Sequence, residues 1–140
     1  MYLERSMTQS LNRWMPQALS LLRIIVGLLF LEHGTQKLLG FPPPLNPAPL
    51  SMLLVVQGWI ELVGGILIAV GLFTRAAAFV LSGDMAVAYF MVFARKSFFP
   101  AVSGGDLAIL YCFVFFFLIF AGGGPWSVDA LRGRDAARGL

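Results

Sequence analysis

An all-α architecture, an integral membrane four-helix bundle with antiparallel neighbours and short loops, follows from three features of the chain. Hydrophobic residues make up 59% of the 140 residues and charged residues only 12%, with a mean hydropathy of +0.83. So few charges cannot cover a soluble surface. The apolar residues fall into four long runs, each of the length an α-helix needs to cross the hydrocarbon of a bilayer. The polar punctuation between runs is short, so consecutive helices are expected to lie antiparallel.

The predicted helices cover about 18–39, 51–72, 76–95 and 105–122 within a transmembrane domain of 17–131. Residues 1–16 form a polar segment expected on the membrane surface, and Pro16 suits the first turn of the helix that follows because it has no N–H to lose. Arg5 and Arg13 precede the first run, as positive charge precedes an export signal. The run exceeds the roughly 7–15 apolar residues of such a signal and no small-residue cleavage site follows, so it is expected to stay in the mature protein.

The loop Gly40 to Pro49 holds too many prolines to be helical and is expected to be extended and stiff, with Ser51 capping the second helix. Gly71 is a helix stop and Thr74 a cap for the third helix. Phe99-Pro100 echoes the Phe41-Pro42 of the first loop. The fourth run ends at Gly122-Gly123-Gly124-Pro125, Ser127-Val128-Asp129 reads as the start of a short interfacial helix, and 132–140 is expected to be a mobile tail. Gly64, Gly65, Ala69, Ala77, Ala78, Ser82, Gly83, Ala86 and Ala88 would let the second and third helices approach closely.

The net charge of +3 is not gathered into a nucleic-acid patch and reports orientation instead. With both termini cytoplasmic, that side holds Arg5, Arg13, Arg75, Arg132, Arg134 and Arg138, with Arg23 near it. The other side holds Lys37, Arg95 and Lys96. The positive-inside rule favours this arrangement. The lone Cys112 excludes an internal disulfide or dithiol chemistry and reads as a packing residue.

An ionisable side chain near the bilayer centre costs at least ~2.5–3.5 kcal/mol, so each asks for a partner or a role. The first helix carries Arg23, Glu32, His33, Gln36 and Lys37; the second Gln57 and Glu61; the third Asp84 and Tyr89; the fourth Asp106 and Tyr111. His33, Gln36 and Lys37 share one helical face, and Gln57 and Glu61 are one turn apart. The expected outcome is a polar cluster of His33, Gln36, Lys37, Gln57, Glu61, Asp84, Tyr89 and Asp106, with Trp59 beside it, open toward the non-cytoplasmic side. Arg23 is expected to pair with Asp84 or Glu61, or to reach the headgroups; snorkelling also accounts for Lys37 and Asp106. The cluster reads either as interhelical glue or as a site that exchanges protons or binds a ligand. Metal binding finds no fixed-spacing motif, and the single histidine excludes bis-histidine haem.

Several stretches then carry a resemblance: Leu22 to Phe30 with His33-Gly34 and Gln36-Lys37-Leu38, Gly58-Trp59-Ile60-Glu61-Leu62-Val63-Gly64-Gly65, and Gly71 to Arg75. Met85 to Phe90, Phe98-Phe99-Pro100, Gly104-Gly105-Asp106 and Gly124 to Asp129 continue it. Over roughly residues 19–131 the chain resembles the DoxX family. The resemblance implies a four-helix bacterial inner-membrane protein linked to a quinone-reducing thiosulfate oxidoreductase and to membrane redox complexes. Many relatives have a histidine where this chain has Phe93, so a mechanism needing two histidines does not carry over.

Three functions compete. In the first the bundle binds a quinone head group as an accessory to a redox partner subunit, with His33 or Glu61 handling a proton and Trp59 or Tyr89 stacking on the ring. In the second, as a homodimer, it admits protons or a small polar solute. In the third the cluster only holds the bundle together.

Overall fold

The computed structural model describes residues 2–45, 47, 49 and 51–138, with the side chains of 2–6 and 134–138 left aside. These residues are all-helical, without a strand: α1 (Tyr2–Leu39), α2 (Met52–Val70), α3 (Thr74–Ala88), a π-helical segment (Tyr89–Phe93), α4 (Pro100–Ser103), α5 (Asp106–Ala121) and α6 (Val128–Arg138). Three segments are long and apolar enough to cross a membrane, Met7–Leu39, Met52–Val70 and Thr74–Phe93, and Asp106–Ala121 is a shorter apolar helix.

α1 runs unbroken through Pro16, which lies inside the helix and not at its start. At 1.5 Å per residue its 38 residues span about 57 Å, well beyond a hydrocarbon core of about 30 Å. Residues 7–16 are exposed. Of the proline-rich loop, residues 46 and 48 lie outside the described residues. The expected mobile tail is helical to Arg138, and residues 139–140 lie outside the description.

Local chemistry explains most boundaries. Ser51 accepts the Leu54 N–H, and α2 stops where Gly71 turns left-handed at φ 73° and Leu72 donates back to the Leu67 carbonyl. The start of α3 departs from expectation. Phe73, at φ 49°, occupies the cap position without a side-chain bond, and Thr74 is already helical. The free N–H groups of Phe73 and Thr74 instead donate to the two carboxylate oxygens of Asp129, at 2.9 and 2.8 Å. A residue on α6 thus caps α3 across 55 positions of sequence. Ser127 starts α6 by accepting the Ala130 N–H. Past Ala88 the repeat widens, Ala94 N–H reaching the Tyr89 carbonyl.

The closest helix approach is between α1 and α2, not between the second and third helices as the small residues suggested. A Cβ on Gly27, Gly34 or Gly65 would stand 2.5–2.6 Å from backbone nitrogens of Ala69, Leu62 and Leu31 respectively. Rising numbers along α1 therefore meet falling numbers along α2. α3 and α5 pair similarly: Arg75 donates to the Ile119 and Phe120 carbonyls, Ser82 to the Cys112 carbonyl, and Gly105 lies under Tyr89 and Phe93. Between these pairs sits a core of Val26, Phe30, Ile68, Leu81, Phe115 and Leu118.

Arg23 pairs with neither Asp84 nor Glu61. It is fully buried and donates to the carbonyls of Gly123, Ile68, Ala69 and Trp126, at 2.8, 2.6, 2.5 and 2.6 Å. The last turn of α2 presents carbonyls without a full set of helical donors, and the planar guanidinium fork reaches them and the loop before α6 together.

Candidate functional site

At the other end of the bundle, the last turns of α1 and the first half of α2 bring Lys37 against Glu61. Lys37 Nζ lies 2.6 Å from Glu61 Oε1, the lysine side chain 25% exposed and the glutamate 3%. Residue 37 on α1 and residue 61 on α2 face each other because the glycine contacts set that register. Glu61 Oε2 is buried without a hydrogen-bond partner. An ion pair this far from water persists only when its remaining lone pairs are met or reserved for something else.

The pair lies on the wall of a cavity of about 310 Å³ that also takes in His33, Gln57 and Tyr111. Phe30, Phe93, Met85 and Ala108 supply its apolar surface. Tyr111 is held by packing: its ring stands edge-on to Phe30 at 5.3 Å and to His33 at 6.0 Å, and stacks on Phe115 at 5.9 Å. Val92 and Leu107, 45% and 48% exposed, also line the cavity, as does exposed Gly104 of the loop before α5. Val92 and Phe93 belong to the π segment, whose wider turn sets where they point; such segments recur at functional sites.

Asp84 faces a smaller groove of about 230 Å³ between α2 and α3, and Gln57 borders both spaces. The Asp84 carboxylate meets the Lys37 charge and the Gln57 amide, while its Oδ2 is buried without a partner. His33, Lys37, Gln57, Glu61 and Asp84 are therefore brought together, with the Lys37 ammonium bonded to Glu61 and acting on Asp84 at longer range. Among the described residues no three His, Cys, Asp or Glu side chains converge as a metal ion requires.

The other expected members stand apart. Trp59 is 56% exposed and lines a separate apolar groove with Val63, Phe73 and Val80. It is two residues from both Gln57 and Glu61, about 200° round the helix, which turns it to the opposite face. Tyr89 packs edge-on to Phe90 and against Gly105. Asp106 is exposed in the first turn of α5, where a negative charge complements the helix dipole. Gln36 is half-exposed and is not among the residues lining the cavity. Among the cavity residues left out of the expected cluster are Tyr111, named from the sequence only as a polar group of the fourth helix, and Phe30. For Tyr111 the available signal was its position four residues from Phe115 and three from Ala108, on the inward face of α5.

A family model described as DoxX matches residues 18–94. An uncharacterized protein of Haemophilus influenzae is 44% identical over 126 residues, which cover 86% of this chain and 94% of that protein. An uncharacterized membrane protein of Mycobacterium tuberculosis is 31% identical over 141 residues, covering 86% of this chain and 85% of its own. No solved structure matches the chain significantly.

Proposed function

The chain belongs to the DoxX family, and from that premise we propose that it is a four-span bacterial inner-membrane protein whose cavity beside Lys37 and Glu61 binds a quinone head group for a membrane redox system. The antiparallel four-span arrangement is supported by the contact register along α1 with α2 and α3 with α5. It is supported too by the apolar character of α5, whose 16 residues reach about 24 Å. Cytoplasmic termini follow from the arginine excess at the Arg75 end. Residues 7–16 carry α1 past the hydrocarbon on the cytoplasmic side in this reading, with Met7, Leu11 and Trp14 exposed on one face.

The observation that carries the proposal is a buried ion pair at the wall of an aromatic cavity whose lining includes the exposed apolar side chains of Val92 and Leu107. In this reading a lipid-soluble ligand reaches the pair past those two side chains. At about 310 Å³ the cavity is at the small end of ligand sites, enough for a head group whose tail stays in the bilayer. A quinone presents two carbonyl acceptors on a flat ring. Lys37 and Tyr111 bring donor groups to the cavity lining, and Phe30 and Phe93 bring aromatic rings.

When bound, a quinone would supply electron-accepting carbonyl chemistry linked to proton uptake. The chain's own part is to orient the carbonyls and to hold a proton at Glu61 Oε2, where no protein donor competes for it. The electrons come from a partner subunit. A second reading, passage of protons, is favoured by one observation: Glu61 and Asp84 each keep an unpartnered oxygen with Gln57 between their two spaces.

The test is native mass spectrometry with lipid extraction on detergent-purified wild type and Glu61→Gln, with thermal stability measured in parallel. Quinone retained by the wild type and lost by a variant of unchanged stability supports binding. Absence of quinone from both, with proton flux in liposomes that Glu61→Gln abolishes, favours the second reading. A variant that only loses stability leaves the cluster a structural one.

A further inference from the structure

A second cavity, of about 470 Å³, lies at the opposite end of α3 and α5 and is separate from the quinone reading. Its wall includes Thr74, Arg75, Asp129 and the Gly122–Gly124 loop. Three features of this wall point to a ligand. Thr74 is 1% exposed, yet its hydroxyl is buried with no hydrogen-bond partner. Its backbone N–H, by contrast, is spent on the Asp129 carboxylate. Arg75 spends one nitrogen, Nη1, on the Ile119 and Phe120 carbonyls. Its Nη2 and Nε edge lies against Gly122, where a Cβ would stand 3.3 and 3.5 Å away, so that glycine leaves the edge uncovered.

Asp129 is the third feature. Burial works to raise its carboxyl pKa, but the bonds from the Thr74 and Phe73 N–H groups and the Arg132 charge outweigh it and hold the group below the usual carboxylate range. Asp129 is therefore anionic at neutral pH. The wall combines a guanidinium edge, an unused hydroxyl and a carboxylate, at the level where the apolar helices end. Phe73 and Trp126, 56% and 57% exposed, lie at the same end, where aromatic rings settle among headgroups.

A purely anionic group would set its charge against Asp129, and a purely cationic one would meet Arg75. We propose that this cavity binds the phosphoethanolamine headgroup of a membrane phospholipid, with the phosphate on Arg75 and the Thr74 hydroxyl and the ammonium on Asp129. A choline headgroup fits less well because its methylated nitrogen has no N–H to donate to the carboxylate. A lipid held there would tie together the start of α3, the end of α5 and α6.

The experiment is native mass spectrometry of the full chain exchanged into a mixture of phosphatidylethanolamine, phosphatidylglycerol and phosphatidylcholine of identical acyl chains. Selective retention of phosphatidylethanolamine is expected. Thr74→Val, which keeps the side-chain volume, should weaken it about tenfold, the effect of one charge-assisted hydrogen bond. Asp129→Asn should abolish the preference over the other two lipids. Equal retention of all three by the wild type overturns the proposal, as does an unchanged ranking in Asp129→Asn. The wild-type ranking decides even if a variant fails to fold. Soluble glycerophosphoethanolamine distinguishes the source: if it binds alone and displaces the lipid, the cavity serves a soluble phosphate ester and the lipid assignment fails.

Discussion

Replacing Arg23 by methionine should destabilise the bundle by about 2–4 kcal/mol, because carbonyls at the end of α2 and in the loop before α6 lose their donor. The guanidinium is fully buried and holds four carbonyls. Of these, the Ile68 carbonyl keeps a bond from the Gly71 N–H. The carbonyls of Ala69, Gly123 and Trp126 lose a charge-assisted donor, each loss costing about 1–3 kcal/mol. Their sum, about 3–9 kcal/mol, is offset by no longer desolvating a cation, which is worth several kcal/mol. Arg23→Lys keeps the charge but has one nitrogen, which cannot span both the end of α2 and the loop before α6, so it should recover less than half of the loss. The assay is reversible unfolding in mixed detergent micelles followed by circular dichroism. Arg23→Met within about 1 kcal/mol of wild type would refute the reasoning, since that is the worth of a single ordinary hydrogen bond. Full rescue by lysine would also refute it, because a point charge suffices only for a Coulombic partner.

Three other outcomes are expected. Gly34→Ala places a Cβ 2.5 Å from the Leu62 nitrogen and should cost about 1–3 kcal/mol in the same unfolding assay, whereas Gly83→Ala, with nothing within 4 Å, should be neutral or stabilising by about 0.5–1 kcal/mol. Lys37→Met leaves Glu61 buried without its cation and should cost about 3–5 kcal/mol, while the double variant Lys37→Met/Glu61→Gln should regain most of that, a coupling read from a double-mutant cycle. Asp129 has a depressed folded-state pKa, so its contribution is present above the unfolded value of about 3.9 and is lost as pH falls through the lower folded value. Melting temperature against pH should therefore fall more steeply below about pH 4 in wild type than in Asp129→Asn.

The apolar runs located the helices because composition and length alone decide what can lie in hydrocarbon. Ser51 and Gly71 were legible because their roles are local. Thr74 was misread because its intended task, capping α3, is done by Asp129 from another helix, and no local pattern announces a cap delivered across the fold. Arg23 was misread for a related reason: matching charges in a sequence finds carboxylates and is blind to backbone carbonyls, which here are its acceptors. Helical spacing joined Gln57 to Glu61 and, applied as strictly, would have set Trp59 aside. The tight α1 to α2 packing depends on Gly27 and Gly34, which were passed over in favour of the glycines and alanines of the next two helices.

The central claim, that a quinone head group occupies the space beside Lys37 and Glu61, is tested most directly by photolabelling the protein in nanodiscs with an azido-quinone and mapping the modified peptides. The account predicts label concentrated on Phe30 to Lys37 and Ala108 to Phe115, competed by unlabelled quinone and lost in Lys37→Met. Label spread over the lipid-facing surface, or gathered in the groove of Trp59 and Phe73 and unaffected by Lys37→Met, would contradict it.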